Sequence, residues 1–219
     1  MLKYKYLKRA LDIFIAYFSL IFSYIPMLII ALLIYFIDGG PIIFKQVRVG
    51  KDGKLFVCYK FKTMRNDAPK NLSTEQFKNS SDYITHLGGI LRRMSLDELP
   101  QLFNVLCGDM SIVGPRPALW NQHDLIELRD SYRKSAGNQD LISTSDSIID
   151  SIFISSNDLR PGLTGWAQVN GRDELPIEVK AAFDGEYLEK ISFWFDCKCF
   201  VKTITSVLKS DGVVEGKAE

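Results

Sequence analysis

IFIAYFSLIFSYIPMLIIALLIYFI, residues 13–37, is a run of 25 residues without a charge in a chain of 219. As a straight helix it would be about 37 Å long, against a bilayer hydrocarbon core of about 30 Å. The run exceeds the apolar segment of a secretory leader and no small-residue cleavage pattern follows it, so it reads as a retained membrane helix. Basic residues flank both ends, Lys3, Lys5, Lys8 and Arg9 before it and Lys45, Arg48, Lys51 and Lys54 after it. The positive-inside rule therefore favours neither orientation. Pro26 has no N–H for the Phe22 carbonyl, which predicts a kink, with the Ser23 hydroxyl helping to solvate the break. A bent helix that enters and leaves one leaflet satisfies both signals, and a kinked spanning helix satisfies the second; the residues alone leave the two open.

Beyond the run, the chain has the size of one domain and enough apolar material, 47% of its residues, to bury a core. The balance of 27 basic and 26 acidic residues gives a net charge of +1, so no whole-molecule field argues for nucleic acid and any basic surface is local. Cys58, Cys107, Cys197 and Cys199 have neither the density of a disulfide scaffold nor zinc-site CxxC spacing, which reads as a reduced, cytosol-facing protein. Residues 42–49 and 55–61 are two β runs joined through Asp52-Gly53, a turn signal that predicts a hairpin over 42–61. Its Lys45, Arg48, Lys60, Lys62 and Arg65 suit an anion site, lipid headgroups or a plain solvated face. Residues 66–83 are polar and read as a loop with a short helix.

Residues 95–117, SLDELPQLFNVLCGDMSIVGPRP, put Asp97 and Glu98 side by side. Ser95 and Glu98 match a capping box, which would make Glu98 purely structural. Pro100 disturbs that register and is most at ease where a helix begins, so the helix alternatively starts there. In either case both carboxylates lie at a helix amino terminus, where free N–H groups favour their ionised forms. Adjacent helical residues point about 100° apart, which suits divided roles and not a shared proton. Arg92, Arg93 and Arg116 bring fixed positive charge, and prolines on both sides of Arg116 stiffen its backbone. Paired carboxylates among arginines suit a phosphorylated substrate with a divalent metal, hence phosphoryl transfer.

KFKTM (60–64), LRRMSLDELPQLFNVLCGDMSIVGPRP (91–117) and RPGLTGWAQVNGR (160–172), in that order, resemble the bacterial sugar transferases, the small monotopic phosphoglycosyl transferases. The resemblance runs over nearly the whole chain. It implies transfer of a sugar-1-phosphate from a UDP-sugar to a polyprenol phosphate, typically undecaprenyl phosphate, with release of UMP and Mg2+ as cofactor. It implies a re-entrant membrane helix over 12–37, kinked at Ser23 and Pro26, in the bacterial inner membrane with the catalytic face toward the cytosol. Asp97 is then the nucleophile, and Glu98 assists through the metal, which both carboxylates hold, or by activating the lipid phosphate. Lys60, Arg92, Arg116 and Arg172 are the phosphate-binding candidates.

Lys62 departs from the family, which usually has arginine there, and receives no role. The segment 123–159, rich in Ser, Asp and Asn, is longer than usual and reads as a polar insertion, either beside the substrate entrance or a tolerated surface loop. The glycines of 160–176 could bring backbone near a nucleotide, although no dinucleotide fingerprint or P-loop is present. Phe193, Trp194, Phe195 and Phe200 with Lys198 and Lys202 fit either a helix in the headgroup region or plain core. Cys197 and Cys199 then face different sides and suggest packing.

The expected fold is one α/β, mostly helical domain: a re-entrant amino-terminal helix, a small hairpin and amphipathic interfacial helices around a cytosolic active site. The expected partners are a UDP-sugar, probed first as N-acetylated, undecaprenyl phosphate and membrane lipid, without nucleic acid; a homo-oligomer is left open. The expected role is the first membrane step of surface glycan synthesis. Rivals are a non-catalytic scaffold of a polysaccharide-assembly complex, direct attack by the lipid phosphate, and hydrolysis by water.

Overall fold

Despite the donor missing at Pro26, the computed structural model carries the apolar run in one helix, α1 (Leu2–Ile37). The structure describes residues 2–69, 80–132, 134–135, 153–171 and 175–209. The helix is long and apolar enough to cross a membrane, and Phe22, Phe36 and Tyr24 are 80%, 76% and 65% exposed. The Ser23 hydroxyl donates to the Ser19 carbonyl at 2.6 Å. This corrects the role expected for Ser23: it bonds one turn before the carbonyl that Pro26 leaves without a donor, as helical serines commonly do.

The two halves of α1 pack on the globular part through different chemistry. Near the amino end, Asp12 accepts from the Ile112 N–H at 3.0 Å and the Ser111 hydroxyl at 2.8 Å. Arg9 donates to the carbonyls of Val105 and Leu106 at 2.7 and 3.1 Å. Near the other end, buried Ile30 and Ile34 pack with Phe61 and Leu91. Lys62, 6% exposed, donates to the Gly40 carbonyl at 2.6 Å, so it secures the linker after α1.

The hairpin forms as expected from β1 (Ile43–Val49) and β2 (Leu55–Phe61), with Ile43 opposite Phe61 and Val49 opposite Leu55. Asp52 (φ 55°) and Gly53 (φ 70°) take the left-handed turn between them. Helix α2 (His86–Arg93) is capped by the Thr85 hydroxyl, which accepts from the Gly88 N–H. A 3-10 turn (Leu96–Glu98) and α3 (Gln101–Cys107) follow, with Pro100 at the cap of α3. Strand β3 (Ser111–Val113) pairs in parallel with β6 (Gly162–Thr164).

Between these strands lie α4 (His123–Ser131) and a two-residue ladder of β4 (Lys134–Ser135) and β5 (Phe153–Ile154). The segment expected to be a polar insertion thus begins as a helix with buried Leu125 and Arg129. Asn157 closes its base by donating to the Ile126 carbonyl and to Asp130, both at 2.9 Å. The middle of the segment, 136–152, lies outside the described residues. Helices α5 (Trp166–Val169), α6 (Ile177–Lys190) and α7 (Phe193–Lys209) complete the fold.

In α7 the aromatic row divides. Phe195 packs on Trp166 with ring centroids 4.8 Å apart, while Trp194 is 79% exposed and Val201 60%. Lys198 and Lys202 lie over the Trp166 ring, 5.0 and 4.6 Å from its centroid. Cys199 is buried in the core and Cys197 lies nearer the surface, which agrees with packing.

Candidate functional site

The 3-10 turn that carries Asp97 begins with a residue in an unusual conformation. Ser95 has φ 55° and ψ 21°, and its side chain makes no capping bond. The capping-box reading is therefore wrong: a left-handed Ser95 ends α2 and turns the chain inward, because a non-glycine residue takes this region only where the fold dictates it. The turn leaves Asp97 7% exposed. Its neighbour Glu98 accepts from Lys60 Nζ at 2.6 Å, both side chains being 21% exposed.

These surroundings drive the two carboxyls in opposite directions. Burial pushes Asp97 up from its ordinary 3.8 to about 6, with Lys60 and Arg92 opposing and the Glu98 charge adding to the rise. For Glu98, burial also favours the neutral acid, but the charges of Lys60, Arg116 and Arg48 overcome it and hold its pKa down at about 2. The expectation that a helix start favours the ionised form of both is reversed in direction for Asp97, where desolvation outweighs the weak dipole of a short turn, although the group stays ionised at neutral pH. The divided roles survive, because the two groups titrate apart.

Asp97, Glu98, Lys60, Arg92 and Arg116 line one cleft of about 730 Å3. Arg92 is held at its wall by donating from Nε to the Thr63 hydroxyl at 2.8 Å. Arg93, one residue on, is exposed and does not line the cleft, since adjacent helical side chains diverge. Lys45, Arg48, Lys62 and Arg65 of the basic hairpin set also reach it. Arg172 lies outside the described residues.

Gly162 and Gly165 serve close packing of the backbone. A Cβ on Gly162 would lie 2.2 Å from the Gly114 nitrogen, and one on Gly165 would lie 2.0 Å from the Gly114 oxygen. Gly114 donates to the Thr164 carbonyl at 2.9 Å and Gly162 to the Pro115 carbonyl at 2.8 Å. The two glycine-bearing motifs are thus fastened backbone to backbone, which brings the Arg116 loop and α5 to the same wall. Sequence reasoning missed Gln168, Arg129 and Asp184, which also line the cleft. Nothing in the local sequence marks Arg129 or Asp184, since each sits in a helix of mixed polar and apolar residues with no sharp apolar face.

Chemically, this is a sheltered carboxylate beside an ion-paired one, in a large cleft rich in lysine and arginine. Residues 3–210 match the family described as bacterial sugar transferase. Among relatives, the chain is 35% identical over 209 residues to the uncharacterized sugar transferase EpsL of Bacillus subtilis, covering 94% of this chain and 90% of that one. It is 34% identical over 219 residues to the exopolysaccharide production protein ExoY of Sinorhizobium fredii, covering 94% and 87%. It is 37% identical over 203 residues to the UDP-glucose:undecaprenyl-phosphate glucose-1-phosphate transferase of Escherichia coli, covering 90% of this chain but 39% of that longer protein. With a match from end to end and a cleft that gathers the residues of all three motifs' neighbourhoods, the chain belongs to the bacterial sugar transferase family.

Proposed function

We propose that the protein transfers a sugar-1-phosphate from a UDP-sugar to undecaprenyl phosphate through a phosphosugar ester on Asp97. The observation that carries this reading is the buried Asp97 carboxylate opening on a cleft whose walls hold Lys60, Arg92 and Arg116. The ionised carboxylate attacks the sugar-bearing phosphorus, the bond to the UMP oxygen breaks, and UMP leaves. An oxygen of undecaprenyl phosphate then attacks the same phosphorus, which forms the lipid pyrophosphate sugar and returns Asp97. Splitting the exchange lets one site serve a soluble donor and then a lipid acceptor. A carboxylate that ionises near pH 6 is more basic than an ordinary aspartate yet charged at neutral pH, a useful combination in a nucleophile.

Lys60, Arg92 and Arg116, with Arg172, bind the phosphates, and their charge opposes the repulsion between a diphosphate and the carboxylate nucleophile. Lys60 also keeps Glu98 ionised, which equips it to assist the lipid phosphate. The donor set suits magnesium, which commonly takes one or two carboxylates and fills its shell with water and substrate phosphates. Asp97 and Glu98 would hold it, and among the described residues no group of three or more His, Cys, Asp or Glu offers an alternative cage. When bound, it would neutralise charge on the diphosphate.

The anchor is re-entrant in this reading. In support, both halves of α1 pack on the same domain, Asp12 against Ser111 and Ile34 against Phe61, which suits a helix with both ends on one side of the bilayer. Exposed Trp194 and Val201 of α7 suit the headgroup region, with the cleft facing the cytosol. The role is the first membrane step of surface glycan synthesis, and the sugar is N-acetylated. The test mixes purified protein with magnesium and a panel of UDP-sugars, including glucose, galactose and N-acetylated forms, without lipid, and measures intact mass. A sugar-phosphate adduct that Asp97→Asn abolishes is expected. No adduct with any donor, yet turnover once lipid is added, would overturn the covalent route.

A further inference from the structure

Arg116 is held from behind by a buried ion pair on two other helices. Arg129 of α4 is 4% exposed and Asp184 of α6 is 1% exposed. Arg129 donates from Nε and Nη2 to the same oxygen of Asp184, Oδ2, at 2.9 and 2.6 Å. Its Nη2 also donates to the backbone carbonyl of Arg116 at 2.8 Å. On the other side of that peptide, Arg48 Nη1 donates to the Pro117 carbonyl at 2.9 Å. The loop between Pro115 and Pro117 is thus gripped by two guanidinium groups, and both Arg129 and Asp184 line the cleft that holds Asp97.

As a device for stability alone the pair is poorly made. Asp184 Oδ1 is buried without a hydrogen-bond partner, and a buried ion pair with an unsatisfied oxygen is commonly no better than an apolar pair of the same volume. What an apolar pair cannot supply is the bond to the Arg116 carbonyl. A lysine, shorter and without the guanidinium's fixed geometry, would not keep both the paired bonds to Asp184 and the bond to the Arg116 carbonyl.

We propose that Arg129 and Asp184 are positioning residues for the transfer reaction, a pair that fixes the Arg116 peptide and so aims the Arg116 guanidinium into the cleft. The inference rests on the function proposed above, and it extends the site to α4 and α6, which lie outside the three sequence motifs but bond to them. Because reacting groups tolerate little misplacement, release of this peptide should slow the reaction by on the order of 10²-fold.

The decisive variant joins Arg129→Met with Asp184→Leu, which removes the ions and keeps the volume. Expected are an unfolding temperature equal to or above that of the unaltered protein, adduct formation slowed about 10²-fold, and no further loss when Arg116→Ala is added. Amide hydrogen exchange in residues 114–119 should quicken. An adduct rate within about threefold of the unaltered protein, or losses that multiply with Arg116→Ala, would overturn the inference. Should the double variant not fold, Arg129→Lys, which keeps the charge pair but not both bonds, is judged by the same outcomes. If the unaltered protein forms no adduct with any UDP-sugar, the functional reading falls; exchange in 114–119 then decides alone, unchanged protection refuting the positioning role.

Discussion

Asp97→Asn should make the protein more stable at neutral pH while abolishing the adduct. Asp97 is 7% exposed, and the fold raises its pKa from 3.8 to about 6. For a carboxyl raised in the folded state, the contribution to stability is fully present below the unfolded value and is lost as pH climbs through the folded one. The window is therefore about pH 4 to 6. At about 1.4 kcal/mol per pKa unit, ionised Asp97 costs the fold about 3 kcal/mol at pH 7.5, falling to about 0.5 kcal/mol at pH 4. Asparagine removes that cost, so the gain in a chain of this size should be about 6–12 °C in Tm at pH 7.5 and should nearly vanish at pH 4.

The neighbouring change has the opposite sign. Glu98 is lowered from 4.5 to about 2, so its contribution is present above pH 4.5 and is lost as pH falls toward 2. Glu98→Gln leaves Lys60 without the carboxylate 2.6 Å away and should cost up to about 3 kcal/mol at pH 7.5. The measurement is thermal unfolding of the detergent-solubilised protein with a chelator present, followed by tryptophan fluorescence at both pH values. An Asp97→Asn protein that is less stable at pH 7.5, or one whose gain is undiminished at pH 4, would refute the desolvation argument. Such a gain on removing a functional charge is the usual signature of a site built at the expense of stability.

Lys60→Met should slow adduct formation by on the order of 10²-fold in single-turnover assays, since it removes a cation from the cleft wall and releases Glu98 together. Ser95→Gly should leave stability unchanged or raise it by about 1 kcal/mol in chemical denaturation, because glycine takes the left-handed conformation freely; a loss would restore the capping-box reading. On α2, Gly88→Ala would put a Cβ 2.1 Å from the Thr63 carbonyl oxygen, whereas the nearest atom to one on Gly89 is 3.9 Å away. The first should cost about 1–3 kcal/mol and the second gain about 0.5–1 kcal/mol, read as shifts in denaturation midpoint. Chelation of divalent ions should abolish transfer, and magnesium should restore it.

Much of the local structure was legible because it depends on neighbours in the chain. The apolar run 13–37 could only be a helix, and the Asp52-Gly53 turn with alternating β runs set the hairpin and its register. Pro100 marked the start of α3 through its own covalent geometry. The cleft was legible in part, since the motifs carried both acids together with Lys60, Arg92 and Arg116, which the fold gathers along it. Ser95 misled because a capping box and a left-handed turn use the same letters, and only the path of the chain after α2 distinguishes them.

What the tertiary structure alone decided is the environment of each group. Two adjacent carboxylates, alike in sequence, differ by several pKa units because one is turned into the interior and the other meets Lys60, 38 positions earlier in the chain. The parallel pairing of β3 with β6 and the Arg129–Asp184 pair that holds the Arg116 peptide each join segments far apart in the chain, Ser111 with Gly162 and Arg129 with a residue 55 positions on. Residue type and local spacing determine which groups can ionise, turn or cap. Desolvation and Coulomb interactions depend on distance in space, so the state and aim of those groups belong to the fold.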